Sequence, residues 1–147
     1  MTEIREMDEA GIDFLIKEEG LRLAPYLDSV GVPTIGIGST YWENGTKVKM
    51  TDAPITKERA ISLFRITLKH YETAVWSVTR DDINQNQFNA LCSITYNIGI
   101  NGFKGSTLLK RVNANPADPA IKAAFEMWKK HKELLRRRKR EWALYFK

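Results

Sequence analysis

Cysteine and histidine are scarce in this chain of 147 residues: one of the first, Cys92, and two of the second, His70 and His131. A single thiol excludes an internal disulfide framework and any zinc site built on paired thiolates. The two histidines lie far apart and lack the companion spacing of a metal motif, so neither a metal nor a cofactor is expected and a zinc amidase is disfavoured. No apolar run approaches the ~20 residues that a membrane span needs. The first eight residues, Met1 to Asp8, are acidic and lack the apolar stretch of a secretory signal. Internal repeats and low-complexity segments are missing as well. Cys92 itself sits among Leu91, Ile94 and Tyr96, where a buried, unreactive thiol is expected.

What is present is globular in proportion. Hydrophobic residues make up 43% and charged residues 28%, which excludes a disordered or fibrous chain. The length fits one domain, or two small lobes, able to fold without a disulfide or metal staple. The charge is unevenly spread. Of a net +5, residues 129–140 carry eight bases and the single acid Glu133, a local +7 that leaves −2 for the remainder. A basic segment on a nearly neutral body attracts polyanions: nucleic acid, anionic lipid or acidic wall polymers.

Hydrophobic periodicity places a helix over 8–21, with Asp8 as N-cap and Ile12, Leu15 and Ile16 on one face. Pro25, Gly31, Pro33, Gly36, Gly38 and Gly45 punctuate β-favouring pieces within 23–50, the pattern of a small antiparallel sheet with tight turns. From Thr56 a 3.6-residue period runs through Ala60, Leu63, Phe64, Leu68, Tyr71, Val75 and Val78 for about six turns. A further helix spans Asn84 to Ile98 and stops at Gly99. Ser106 caps a short helix through Val112, Pro119 opens one through Trp128, and the basic run leads into a last helix ending in Trp142, Tyr145 and Phe146. Strands confined to the N-terminal part and helices to the end make an α+β fold.

Three residues carry potential chemistry. Glu19 follows Ile12, Leu15 and Ile16 on the apolar stripe, where a carboxylate is costly unless paired or used. It is either a helix-end acid that tilts into water or forms a buried ion pair, or a general acid with a pKa raised by desolvation. Asp28, nine residues on, reads alone as a turn former before Ser29 and Gly31. Thr34 alone is a β-branched strand residue.

As a set they resemble the phage-type lysozymes, the endolysins of tailed bacteriophages. The likeness rests on Glu19-Gly20-Leu21-Arg22, Tyr26-x-Asp28 and Gly31-x-x-Thr34-Ile35-Gly36-Ile37-Gly38. It continues in Asn84-Gln85-x-Gln87-Phe88-x-Ala90-Leu91-x-Ser93, Tyr96-Asn97-Ile98-Gly99 and Phe103-x-x-Ser106-Thr107-Leu108. It ends with Trp128 followed by Arg136-Arg137-Arg138-x-x-Glu141-x-Ala143-Leu144, covering nearly the whole chain in order.

The resemblance implies a two-lobed lysozyme-like fold as a single domain over 1–147. Its small lobe would span about 12–55 and its linking helix about 56–79. The helical lobe would hold about 80–147 plus the N-terminal helix. It implies hydrolysis of the β-1,4 bond between N-acetylmuramic acid and N-acetylglucosamine in peptidoglycan. Glu19 would be the general acid, with Asp28 and Thr34 activating and holding a water. It assigns substrate contacts to Thr40, Tyr96, Asn97 and Ser106, and suggests that Arg138 reaches the acidic Glu19. On the last helix Leu135, Trp142 and Phe146 share a face and Arg138 falls at its edge, so a solvent-facing base is the alternative.

Two departures stand out. Ser39 occupies the position after Gly-x-Gly where relatives usually carry His, and the segment from Trp128 to Arg136 is shorter than usual. The expected partner is bacterial peptidoglycan, bound by a monomer made in the host cytoplasm and acting in the periplasm. Anionic lipid is an accessory partner through the basic C-terminal helix. The rival class is a basic-tailed protein that binds nucleic acid or anionic membrane; no helix-turn-helix, zinc or RNA-binding signature accompanies the basic run, and no specific nucleic acid is expected.

Overall fold

The computed structural model describes residues 4–147. The order is α1 (Glu9–Glu19), β1 (Arg22–Leu27), β2 (Pro33–Gly36), α2 (Lys57–Val78), α3 (Gln85–Ile98), α4 (Ile100–Lys104), α5 (Thr107–Ala114), α6 (Ile121–Glu126) and α7 (Lys132–Tyr145). Small sheet first and helices after it is the α+β arrangement that the sequence pattern predicts. No described helix is long and apolar enough to cross a membrane.

The chain folds as two compact units, Ile12–His70 on one hand and the described residues up to Gly11 with Tyr71–Lys147 on the other. In the first unit, Ile35, Val48, Ile55, Ala60 and Leu63 form the buried core, with Leu21 and Trp42 packed against it. The sheet is a single antiparallel pair, with Tyr26 opposite Thr34 and Leu27 opposite Pro33. Its register slips between Arg22 and Tyr26, where Pro25 has no N–H for the ladder. Residues beyond β2 form turns with two isolated bridges, Ile35 with Ser39 and Tyr41 with Lys47, so the predicted sheet over 23–50 is smaller than its glycine and proline pattern suggests.

In the second unit α3 is the central element, buried without interruption from Phe88 to Thr95. Asn84 and Gln87 close its N-terminus with a reciprocal capping box. The polar residues of this stretch are satisfied: Asn89 donates to Asp8, and Thr95 Oγ1 donates to the Leu91 carbonyl. Phe103, Leu108, Val112, Ile121, Phe125 and Tyr145 complete the apolar core. Each such side chain contributes about 1.5–3 kcal/mol by leaving water. Cys92 is fully buried, and that burial pushes its thiol pKa well above the ordinary range, as an inert thiol requires.

Four features differ from the sequence reading. α1 ends at Glu19 rather than 21, because Gly20 turns to φ +87°. α4 is additional, a single turn between Gly99 and Gly105 too short for a periodic signal. α6 stops at Glu126. On α7 the buried residues are Arg137, Arg138, Glu141 and Tyr145, while Leu135 and Trp142 are only half-buried and Phe146 is exposed. The inward face of this helix is therefore largely charged, not the aromatic stripe expected from its spacing.

Candidate active site

In the unit Ile12–His70, Glu19 is the last residue of α1 and half-buried. The chain reverses at Gly20 and enters β1 two residues later, which places Glu19 at the helix end just before the hairpin strand.

Asp28 follows β1 directly and organises the turn to β2. Its Oδ1 accepts from the backbone N–H of Val30 at 2.9 Å and of Val32 at 2.8 Å. The Asp28 carbonyl accepts from Gly31 N–H at 3.0 Å, and Gly31 takes φ +83°, a backbone region that side chains disfavour. The turn former and the candidate base are thus one residue: the same carboxylate uses one oxygen to build the loop.

Thr34, opposite Tyr26 in β2, is 2% exposed, and its hydroxyl donates to the Val32 carbonyl at 2.8 Å. Val32 therefore binds Asp28 through its N–H and Thr34 through its C=O. With its hydrogen engaged, the Thr34 hydroxyl has only lone pairs to offer another partner. Thr40 is half-buried, and its carbonyl accepts from Val48 N–H at 2.9 Å.

Ser39 bridges Ile35 through two backbone bonds of 2.8 and 2.9 Å. Its side chain is buried, and Oγ has no protein partner among the described residues.

The remaining candidates lie in the other unit, at the C-terminal end of α3 and beyond it. Tyr96 is half-buried, with its ring edge-on to Tyr71 at 5.0 Å between centroids. Asn97 is exposed, yet its Oδ1 accepts from Arg138 Nη2. Arg138 is completely buried, which rules out the solvent-facing alternative. Its Nε donates to the Trp128 carbonyl at 3.0 Å and its Nη1 pairs with Glu141.

Glu141 also accepts from Ser93 Oγ at 2.6 Å and from Arg137 Nε at 3.1 Å. Burial pushes the Glu141 pKa up, while Arg138, Arg137 and the Ser93 hydrogen bond pull it back. Ser106 is buried as the N-cap of α5, its hydroxyl donating to the Phe103 carbonyl and accepting from Leu109 N–H.

The structure thus joins Asp28 to Thr34 through Val32, and Asn97 to Arg138 directly. Sequence reasoning missed Ser93, Arg137 and Glu141 as the frame behind Asn97. A signal existed: Glu141 stands three and four residues after Arg138 and Arg137, the spacing of helical ion pairs. Among the described residues no cluster of three or more His, Cys, Asp or Glu side chains is placed to hold a metal.

These positions fall inside a family match. Residues 16–141 fit the model of the family described as phage lysozyme. The chain belongs to the phage lysozyme family. It is 42% identical over 144 residues to the endolysin of Salmonella phage P22, spanning 95% of this chain and 97% of that one. A solved structure of a P22 lysozyme mutant superposes with a TM-score of 0.89 at 40% identity, covering 98% of this chain and all of the other. The endolysin of Escherichia coli O157:H7 phage FAHEc1 gives 0.87 at 33% identity, over 98% and 96% of the two chains. The muramidase domain of SpmX from Asticaccaulis excentricus gives 0.79 at 30%, over 98% and 99%. The fold is the lysozyme-like α+β fold, and the chain is a lysozyme-type glycoside hydrolase.

Proposed function

We propose that this phage lysozyme family member cleaves the β-1,4 bond between N-acetylmuramic acid and N-acetylglucosamine in bacterial peptidoglycan, and that the cleavage serves host cell lysis. The observation that carries the reading is the shared anchoring of Asp28 and Thr34 on Val32, in the hairpin that follows Glu19, inside the matched span. Two carboxylates and a hydroxyl are the equipment that water-mediated glycoside cleavage needs.

In this mechanism Glu19 gives its proton to the glycosidic oxygen as the bond to the leaving sugar breaks. A water on the opposite face of the ring donates one hydrogen to Asp28 Oδ2, the oxygen not used by the loop, and the other to Thr34 Oγ1. With both hydrogens held, its lone pair points at the anomeric carbon. Asp28 accepts the proton as the new bond forms. The scheme gives inversion, with the two carboxyl groups roughly 6.5–9.5 Å apart, where a double displacement would need about 5 Å.

Thr40, Tyr96, Asn97 and Ser106 contribute substrate contacts, Asn97 through its amide hydrogens and Ser106 through its one remaining lone pair. Arg138 acts behind Asn97, by orienting its amide. The enzyme works as a monomer, is made in the host cytoplasm and acts on the wall from the periplasm. The exposed bases Lys132, Arg136, Lys139 and Arg140 of α7 add a weak attraction to anionic lipid surfaces.

The test is chemical. Purified walls digested by the protein are reduced with borohydride and hydrolysed. New muramicitol without new amino-acid N-termini supports the reading, and new N-termini or new glucosaminitol contradict it.

A further inference from the structure

In the unit Ile12–His70, the turn closed by the Tyr41–Lys47 bridge borders a hollow of about 390 Å³. Trp42, Glu43, Asn44, Asp52, Pro54 and Arg59 line it, and none of Glu19, Asp28, Thr34 and Thr40 does. Trp42 is half-buried, packed against the core of the unit with part of its ring left at the hollow. Pro54 beside it is exposed.

Three planar polar side chains at this hollow are each held by the fold and each keep capacity to spare. Asn44 Oδ1 accepts from Thr46 N–H at 3.0 Å and from Thr46 Oγ1 at 2.7 Å, and the Asn44 amide hydrogens have no partner among the described residues. Asp52 Oδ2 accepts from the Trp42 indole at 2.7 Å and from Lys49 N–H at 2.8 Å, while Oδ1 has no partner among the described residues. Arg59 grips Glu43 through Nε at 3.2 Å and Nη2 at 3.1 Å and lies over the Trp42 ring, 4.6 Å from its centroid, with Nη1 left over. Groups fixed before a ligand arrives lose little freedom when it binds. Glu43 and Asp52 against Arg59 leave the lining at a net charge of −1. The bonds from Arg59 hold the Glu43 carboxyl below its ordinary range, and those from Lys49 N–H and Trp42 do the same for Asp52. A lining of that sign disfavours phosphates and carboxylates. A neutral, hydroxyl-rich molecule both donates to Asp52 and accepts from Asn44 and Arg59, and its C–H face matches Trp42 and Pro54.

We propose that this hollow is an accessory binding site for neutral amino-sugar units of the wall glycan, separate from the residues that cut it, by which the small unit holds the insoluble polymer. Asp52 Oδ1 accepts from sugar hydroxyls, Asn44 and Arg59 donate to hydroxyl or acetamido oxygens, and Trp42 and Pro54 take the C–H face. An enzyme whose substrate is a cross-linked solid gains from a second hold: when one site lets go, the other keeps it at a high local concentration of glycan. The proposal rests on the reading of peptidoglycan as substrate.

The experiment titrates isotope-labelled Glu19→Gln protein, which stops turnover, with N-acetylated chitotetraose, an uncharged glycan. The Trp42 indole N–H and the Asn44 amide are followed by NMR, with Trp42→Phe to assign the indole. Both signals should move together and saturate in the millimolar range. Asn44→Asp keeps the oxygen that Thr46 uses and removes the amide donors, so it should weaken the response of the Trp42 indole roughly three- to tenfold. The loss should persist at high salt, where an effect of the added charge alone would be screened. Asp52→Asn, which keeps an oxygen for the indole, should weaken binding likewise, and melting temperatures check that each variant folds. In sedimentation with purified walls at the same salt, Asn44→Asp should lower retention of the Glu19→Gln protein severalfold. Signals that stay fixed with the glycan, an affinity that both substitutions leave unchanged, or unaltered retention on walls would overturn the proposal. So would a lysine-containing peptide that moves these signals where the glycan does not, which would make the hollow a cation site. If the unaltered protein releases no muramicitol from walls, the reading of function has failed instead; muramicitol release with the Trp42 and Asn44 signals unmoved fails this inference alone.

Discussion

Asp28 and Thr34 are tied to the same peptide residue: Val32 donates its N–H to the carboxylate at 2.8 Å and accepts the threonine hydroxyl at 2.8 Å through its carbonyl. Neither side chain can turn without breaking a bond to the loop they share. The arrangement leaves one carboxylate oxygen and the lone pairs of the hydroxyl as acceptors, which suits a water that must be stripped of a proton while its own lone pair stays free.

Replacing Thr34 separates the hydroxyl from the fold. Thr34→Val keeps the shape and removes the acceptor, so kcat on walls should fall by about 10²–10⁴. Loss of the bond to Val32 should cost about 1 kcal/mol in urea unfolding. Thr34→Ser should recover most of the rate. Equal rates for the valine and serine variants would remove Thr34 from the mechanism.

Asn97→Asp tests the direction in which the amide faces. The new carboxylate keeps an oxygen for Arg138, so the melting temperature should hold or rise. The outward N–H donors disappear, so KM should increase several-fold, since an unpaired buried group at a binding site costs about 1–3 kcal/mol. An unchanged KM would mean that substrate does not use the Asn97 amide.

Ser39 carries a buried hydroxyl with no protein partner among the described residues. Removing it should relieve desolvation that no hydrogen bond offsets. Ser39→Ala is expected to leave stability unchanged or raise it by about 1 kcal/mol in urea titrations. A loss beyond about 1 kcal/mol would reveal a hydrogen bond that the hydroxyl makes in solution.

Tyr145 governs part of the alkaline limit. It is 1% exposed, donates its hydroxyl to the Pro116 carbonyl at 2.8 Å, and burial pushes its pKa above the ordinary value of 10. A phenol that ionises more readily unfolded than folded supports the fold fully below pH 10 and progressively less above it. Stability should fall as pH rises past 10, and Tyr145→Phe should fall less steeply. In a titration followed at 295 nm, one tyrosine should ionise only together with unfolding; smooth ionisation of all five within the folded protein would contradict this.

The helices and the hairpin were legible in sequence because they obey local rules. Asp8 capping α1, the Asn84–Gln87 box opening α3 and Ser106 opening α5 all act within four residues of themselves. The end of α1 was missed by two residues because Gly20 can either continue a helix or reverse it, and only the entry into β1 decides. The frame behind Asn97 was hidden for a different reason. Arg137, Arg138 and Glu141 stand in a run of bases that reads as a solvated face, and only packing against α3 reveals that two of those bases are buried against one acid. The family resemblance pointed to Asp28 and Thr34, but nothing in their spacing said that Val32 would join them.

The role of Glu19 is tested most directly by turbidity loss of outer-membrane-stripped bacterial walls under wild-type and Glu19→Gln protein of equal melting temperature. The amide matches the carboxyl in shape but has no acidic proton to deliver, and lost general-acid catalysis is worth about 10²–10⁴ in rate. A loss of at least that order is predicted, with wall binding retained. Digestion by the Glu19→Gln protein at the wild-type rate would contradict the assignment of Glu19 as the acid.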